Sequence, residues 1–313
     1  MMDFDRNWWA VIIGGSSGFG LAAAKKLASR GMNLCIVHRD RRSAMKKIEP
    51  EFDKLRETGA GVVTFNLDGL SEEGRTRVLD GLAREMGDSG RVRLLLHSVA
   101  FGNLKLLGEY PGAREPGQAR KRIAEDAGLS AQRMDEIVNN AFAEGFNSLY
   151  TLIDDEEDYS NRQFLGPEDF SRTLHAMGYN IVEWAQDILG RGLFAQDARV
   201  LSLTSEGNSV AWKGYAAISA AKAVLESVSR AMAVELAPRG IRANVIQAGI
   251  TDTPALQAIP GSHRIRAQAA LRNPFGRLTT PQDVADVICL LCSDEAAWIN
   301  GAIICADGGE RIG

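Results

Sequence analysis

Ala10-Val11-Ile12-Ile13-Gly14-Gly15-Ser16-Ser17-Gly18-Phe19-Gly20 is the stretch on which the fold turns. Four apolar residues running into a glycine pair read as a strand buried on both faces, as strands of a parallel sheet are. Residues 21–29 continue with helical spacing, and Gly31 stands where a helix C-terminus wants glycine. The G-x-x-x-G-x-G spacing permits a tight turn and lets backbone approach a phosphate closely. The unpaired N–H groups of the following helix would face that phosphate. Glycines alone mean only a strand-to-helix turn. Set between a strand and a helix, they predict a dinucleotide site built from Gly14, Ser16, Ser17, Gly18, Phe19 and Gly20.

Outward from this loop the same alternation repeats. Residues 34–37, 61–65, 92–97, 200–203, 241–247 and 302–305 are further strand candidates, with helical stretches between them, such as 43–57. About seven strands separated by helices predict an α/β, Rossmann-like doubly wound parallel sheet with right-handed crossovers. We read residues 1–313 as one such domain. The rhythm breaks after Phe101, where no strand-like run appears before about residue 170. Turn residues Pro111, Gly112, Pro116 and Gly117 open that stretch. Helices are predicted over 118–127 and, behind the N-cap candidate Ser130, over 131–148. Met134, Ile137, Val138, Ala141, Phe142 and Gly145 share a face of the second. The acidic run Asp154-Asp155-Glu156-Glu157-Asp158 follows, so residues 103–166 read as a helical insertion after the fourth strand.

Composition narrows the class. The chain has 313 residues, 45% of them hydrophobic, and a formal charge of -4, which argues against a nucleic-acid partner, since phosphate binding needs a broad basic surface. No apolar run reaches the ~18–20 residues of a membrane span. Met1-Met2-Asp3-Phe4-Asp5 lacks the basic-then-apolar order of a signal peptide, so a cytoplasmic location is expected. Cys35, Cys289, Cys292 and Cys305 lie in apolar runs and are expected to be buried reduced thiols. The Cys289/Cys292 pair has no second ligand pair nearby, and no metal site is expected.

The end of the second strand selects the cofactor in a dinucleotide fold: a carboxylate suits the ribose 2′-OH of NAD, an arginine the 2′-phosphate of NADP. Here the chain reads His38-Arg39-Asp40-Arg41-Arg42, with Arg39 best placed and Asp40 beyond the critical position. NADP(H) is predicted, NAD(H) being the alternative if this is only a solvated charged loop. Asp68, after the third strand, is either an adenine contact or a solvent-facing turn residue. Further on, Lys222 follows Tyr215 by seven residues, which at ~100° per residue returns to nearly the same helix face. A phenol and an ammonium side by side next to a nicotinamide form a pair able to donate a proton or stabilise an oxyanion.

Together the Gly14-to-Gly20 loop, His97-Ser98-Val99-Ala100-Phe101, Tyr215 with Lys222, the stretch Glu235-Leu236-Ala237-Pro238-Arg239-Gly240-Ile241-Arg242-Ala243-Asn244, and Asp307-Gly308-Gly309 resemble the short-chain dehydrogenases/reductases. The resemblance covers most of the chain outside the insertion. Most members place the tyrosine four residues before the lysine, and that position is Ile218 here. The seven-residue spacing, the His97-to-Phe101 motif, and Phe170 nine residues before Tyr179 look like the enoyl-acyl-carrier-protein reductases.

That resemblance implies hydride transfer to the C=C bond of an enoyl thioester carried by acyl carrier protein or CoA. Tyr215 would stabilise the enolate and Lys222 would hold the nicotinamide ribose. Gly249, Ile250, Thr251 and Thr253 would secure the carboxamide and phosphates; Ser98, Val99 and Ala100 would line the cofactor, and Phe101 would face substrate. A homotetramer packed through helices around 168–190 and 213–236 is also implied. Two departures stand out. Ser205 replaces a second tyrosine ten residues before Tyr215, and it is either a substrate-oxygen donor, as in ketoreductases, or an ordinary strand-end hydroxyl. The long insertion either covers the acyl pocket or extends an oligomer surface. Its Arg114, Arg120, Lys121 and Arg122 would meet carrier or CoA phosphates, or else form a solvated face. The alternative function is a reductase of another activated C=C or C=O bond, a 3-oxoacyl group or a ketone, using Ser205, Tyr215 and Lys222.

Overall fold

The computed structural model describes residues 3–109, 118–152, 164–259 and 262–313. Its strands are β1 (Trp8–Ile13), β2 (Asn33–His38), β3 (Val62–Asn66), β4 (Arg91–His97), β5 (Phe194–Thr204), β6 (Ile241–Ala248) and β7 (Ile303–Ala306). They form one seven-stranded sheet in the order β3-β2-β1-β4-β5-β6-β7, every neighbouring pair parallel. The helices are α1 (Gly18–Ala28), α2 (Arg42–Arg56), α3 (Glu72–Met86), α4 (Gln118–Asp126), α5 (Ala131–Ala143), α6 (Pro167–Leu174), α7 (Asn180–Gly190), α8 (Ala216–Glu235), α9 (Pro254–Gln257), α10 (Ser262–Arg272) and α11 (Pro281–Leu291).

Strand periodicity divides the core into two layers. In β1, Ala10 and Ile12 face Ala23 and Leu27 of α1, Phe52 of α2 and Ile288 of α11. Trp9, Val11 and Ile13 face the other way, toward Leu79 of α3, Trp184 of α7 and Leu225 of α8. Each fully buried aliphatic or aromatic side chain contributes about 1.5–3 kcal/mol, so β1, apolar on both faces, can only be central. The chain runs from β1 outward through β2 and β3, then returns to β4 on the far side of β1. The loops after β1 and β4 therefore diverge, leaving a crevice at the carboxyl ends of the strands.

The fifth strand begins at Phe194, ahead of the apolar residues 200–203, because the polar break inside it is accommodated: Asp197 pairs with Arg199 of its own strand and with Arg93 and Arg242. Helix α5 stops at Ala143, well short of residue 148. Gly145 takes φ +92°, and the Phe146 N–H closes on the Ala141 carbonyl at 3.1 Å, which ends the helix in a left-handed turn. Of its expected face, Met134 and Val138 are buried, whereas Ile137 is exposed. The Ser130 cap forms as expected, accepting from the Arg133 N–H at 3.2 Å. Among the cysteines, Cys35 and Cys292 are buried, Cys289 is half-buried and Cys305 is exposed, because β7 is an edge strand whose Ile303 and Cys305 face outward.

The stretch expected around 168–190 is α6 and α7 joined by a wider π turn at His175–Tyr179. The insertion lies against α10: its turn Asn147–Leu152 packs there, and Phe142 meets His263 edge-on at 6.4 Å. Arg120 is not part of a solvated face. It is buried, bound to Asp135 at 2.7 Å and to the Leu152 carbonyl, while Lys121 and Arg122 are exposed. Pro111, Gly112, Arg114, Pro116 and the acidic run from Asp154 to Asp158 lie outside the described residues. Among the described residues, no helix is long and apolar enough to cross a membrane.

Candidate active site

A cleft of about 460 Å³ opens at the β1/β4 crevice. Gly14, Ser16, Ser17, Gly18 and Phe19 line one wall; Arg39 and Asp68 line the β2/β3 end; Ser98, Val99, Ala100 and Phe101 line the β4 end, and Thr253 closes it from the β6 side. Gly14 has φ +84°, and a Cβ there would overlap the Ser98 carbonyl oxygen, so the loop can lie this close to β4 only as glycine. Gly20 is buried below the cleft, where a Cβ would meet the Gly14 carbonyl. Ser17 occupies the N-cap of α1 without capping it through its hydroxyl, and the first turn carries no acidic residue. Open N–H groups and the positive end of the helix dipole therefore face the cleft, a pyrophosphate-sized anion site. These residues fit a dinucleotide.

At the far end Arg39 pairs with Asp68 at 3.0 Å, both about half exposed, and its guanidinium stacks on the Phe101 ring at 5.0 Å. Phe101, expected to face substrate, thus stacks with Arg39 at the β2 end of the cleft. Asp40 turns away to His38, 2.9 Å from its ring nitrogen, and is not among the lining residues, whereas the paired Arg39 and Asp68 both line the cleft.

Tyr215 stands at the N-cap of α8, its carbonyl accepting from the Ser219 N–H at 2.8 Å. Its ring is buried against Trp212, edge-on at 5.1 Å, and within a cluster of Ala176, Met177, Ile218 and Ala221. Val99 and Leu70 pack on this cluster and also line the cleft, whereas Tyr215, Lys222 and Ser205 are not among its lining residues. Burial raises the phenol pKa, and the neighbouring Ser205 hydroxyl opposes that shift. Ser205 Oγ, just beyond β5, is buried beside that phenol, close enough to lower its pKa but not in a well-formed hydrogen bond among the described residues. Ile218, at the position where most relatives keep tyrosine, is core: a Cβ on Gly102 would sit 2.7 Å from its Cγ1.

Lys222 is buried, and its ammonium donates to the Leu203 carbonyl at 2.8 Å. Burial pulls its pKa down to about 8, with Glu226 opposing. His97, the last residue of β4, is buried nearby, its Nε2 without a hydrogen-bond partner among the described residues. Burial, helped by the charges of Lys222 and His175, pushes its pKa down to about 3, so the ring is neutral at physiological pH. A lysine whose proton is labile near neutrality, a buried phenol and the serine hydroxyl beside it can deliver a proton or bind a developing oxyanion.

The residues predicted after β6 are brought only partly to the cleft. Thr253 lines it, although its hydroxyl caps α9 by accepting from the Leu256 N–H at 3.3 Å. Ile250 donates its N–H to Glu310 at 3.0 Å, Thr251 turns its hydroxyl to the Gly249 carbonyl at 3.0 Å, and Gly249 sits tight beneath Glu310 and Thr279. Sequence reasoning passed over Glu206, Gly207, Trp212, Arg272 and Glu310. Only proximity to Ser205, Tyr215 and Asp307-Gly308-Gly309 could have flagged them.

With the geometry in view, two family models match the chain: "short chain dehydrogenase" over residues 8–112 and "Enoyl-(Acyl carrier protein) reductase" over residues 117–310. A cis-4-hydroxycyclohexanecarboxylate dehydrogenase of Sinomonas cyclohexanicum is 27% identical over 96% of this chain and 95% of its own. A 1-cyclohexenylcarbonyl-CoA reductase of Streptomyces collinus is 26% identical over 98% of this chain and 88% of its own. Among solved structures, an enoyl-(acyl-carrier-protein) reductase from Anaplasma phagocytophilum in complex with NAD superposes with a TM-score of 0.69 at 19% identity, over 100% of this chain and 96% of its own.

Proposed function

The chain belongs to the short-chain dehydrogenases/reductases, nicotinamide-dependent oxidoreductases, and from that premise we propose that it is an NADPH-dependent reductase of enoyl thioesters, carried by CoA or acyl carrier protein. The carrying observation is the displacement of the phenol: Tyr215 at the N-cap of α8, with Ile218 filling the usual tyrosine position as core. Three residues of helix rise amount to ~4–5 Å, enough to bring a phenol to a different oxygen from the one a carbonyl reductase protonates. A nicotinamide cofactor, when bound, supplies the hydride that adds to the β-carbon. The chain's part is to hold and polarise. Gly14, Ser16, Ser17, Gly18, Phe19 and Gly20 form the phosphate loop, Arg39 meets the 2′-phosphate and Asp68 the adenosine end. Ser98, Val99, Ala100 and Thr253 wall the cofactor, with Gly249, Ile250 and Thr251 ordering the loop behind it. Tyr215 donates a hydrogen bond to the thioester oxygen as charge moves there, and Lys222 holds the ribose and keeps the phenol polarised. The S. collinus relative, named for an enoyl-CoA reduction, supports this substrate class.

The buried Ser205 hydroxyl beside the Tyr215 phenol favours a second reading, reduction of a C=O group by Ser205, Tyr215 and Lys222. The S. cyclohexanicum relative, named as a hydroxy-acid dehydrogenase, points the same way. A cytoplasmic homotetramer of single-domain subunits completes the proposal. Purified protein is to be mixed with NADPH and trans-2-enoyl-CoA thioesters of several lengths, beginning with crotonyl-CoA, and in parallel with 3-oxoacyl and cyclic ketone substrates. Oxidation of NADPH by the enoyl thioesters, slower with NADH, is expected. No oxidation at any enoyl chain length defeats the first reading, and turnover of ketones alone establishes the second.

A further inference from the structure

The loop that brings Thr253 to the cleft and the turn that carries Ser205 toward Tyr215 are joined through the side chain of Arg272. Arg272, the last residue of α10, donates from Nη2 to Glu206 Oε1 at 2.6 Å and to Glu310 Oε1 at 3.1 Å. Glu206 follows Ser205 directly and precedes Gly207, whose backbone lies against the Tyr215 ring; a Cβ there would be 2.6 Å from Tyr215 Cε1. Glu310 uses its other oxygen to hold the Ile250 N–H at 3.0 Å, at the root of the loop that supplies Thr253 to the cleft. Both carboxylates are nearly buried, at 8% and 2% exposure. Without the arginine they would face each other as like charges in a poorly solvated place. Helix α10 is also where the insertion rests, through Phe142 on His263. Its Ala269 and Ile265 pack with Trp212, the indole that abuts Tyr215.

We propose that Arg272 is a positioning residue for the reaction: its bridge from Glu206 to Glu310 fixes the Ser205/Tyr215 side of the site against the 249–253 loop, and thereby against the cofactor. The inference rests on the reductase reading above. Displacing reacting groups by about 1 Å can cost about 10²-fold in rate even when binding survives, and alignment between the two loops is what this bridge sets.

The test uses the full-length protein as Arg272→Met, Arg272→Lys and the double variant Arg272→Met/Glu206→Gln. Removing Glu206's charge together with Arg272 relieves the carboxylate repulsion, so the double variant keeps the test readable if Arg272→Met does not fold. Thermal melting, NADPH affinity by direct titration, and kcat and KM for an enoyl-CoA thioester are measured. The double variant is expected to melt near the parent with kcat reduced about 10-fold or more and KM for the thioester moved less than about 3-fold. Arg272→Lys is expected to recover kcat to within about 5-fold, a rescue that depends on the cation itself. The proposal is overturned if the folded double variant keeps the parental kcat, if KM moves as much as kcat, or if lysine rescues nothing. If the parent protein turns over no enoyl thioester, the functional reading fails by itself. Arg272 is then judged on NADPH affinity, expected to weaken about 10-fold in the double variant as the Ile250 loop loosens; unchanged affinity overturns it.

Discussion

Lys222 carries the sharpest conflict between stability and chemistry in the chain. Its ammonium is buried and donates to the Leu203 carbonyl, and its pKa falls from 10.5 to about 8. Between those values the unfolded chain holds a proton the folded chain has released, so stability rises with pH through that window and is lowest where the ammonium is charged. At pH 7 the buried charge costs on the order of 3 kcal/mol, against about 1 kcal/mol contributed by the hydrogen bond to Leu203. Lys222→Met is therefore expected to raise the melting temperature at pH 7 while removing turnover, and the gain should shrink by pH 10. Parental turnover, in turn, should fall as pH rises past about 8 and the ammonium is lost. A lower melting temperature in the methionine variant, or a flat activity profile from pH 7 to 9, would refute this account. At this scale the sequence made the pair visible, since a seven-residue spacing needs only helix geometry. It hid what surrounds the pair. The Leu203 carbonyl, neutral His97 and the ring of Trp212 come from different elements, and no local pattern relates them.

Between β5 and α8 the turn Glu206–Asn208 shapes the site more than its length suggests. Gly207 there is required by contact, because Tyr215 Cε1 would lie 2.6 Å from an added Cβ and Ser205 Oγ 3.3 Å. The ring is wedged against Trp212 and Ile218 and cannot withdraw freely. Gly207→Ala is expected to move the phenol, reducing kcat by about 10²-fold and costing about 1–3 kcal/mol of stability. NADPH affinity should hold, since Gly207 is not among the residues lining the cleft. A variant with parental kcat would show that Tyr215 tolerates displacement and that the N-cap position is not what sets the reaction. Element by element, strands with apolar runs were legible, and so was the Ser130 cap. The beginning of β5 was not, because Asp197 and Arg199 break its pattern and are accommodated only by partners on other strands. The end of α5 was misplaced because Gly145 reads as a tolerated small residue until its φ of +92° is known.

At the scale of the whole molecule, the sheet has two ends with different physics. The carboxyl end is open and underpacked, the crevice in which a cofactor fits. The opposite end is pinned by charge. Asp197 accepts from Arg93 of β4 at 2.6 Å, from Arg199 of its own strand at 2.5 Å and from Arg242 of β6. The same arginines reach the chain beyond α11: Arg93 the Cys292 carbonyl at 2.9 Å, Arg199 the Ser293 carbonyl at 3.1 Å, and Arg242 the Ala297 carbonyl at 2.9 Å. Cations at a helix C-terminus meet the negative end of its dipole, so three strands and one helix are fastened at a single point. Burial would raise the Asp197 pKa, but the hydrogen bonds from Arg199 and Arg93 overcome it and hold the carboxyl below its ordinary value. Its contribution to stability is therefore complete above the unfolded carboxylate pKa and is lost as pH falls through the lower folded value. Asp197→Asn leaves the buried Arg199 without Asp197 and leaves Arg93 paired, among the described residues, with Asp294 alone. Because Asp197 is itself about a third exposed, the loss is that of charged hydrogen bonds, about 1–3 kcal/mol. The variant should melt below the parent at pH 7 yet keep KM and cofactor affinity wherever it is folded, because the staple and the cleft lie at opposite ends of the strands. The difference in melting temperature should narrow on acidification, as the parental carboxylate takes up its proton. If the gap were constant down to pH 2, or if cofactor affinity fell together with stability, the staple would have to be coupled to the cleft through the strands themselves.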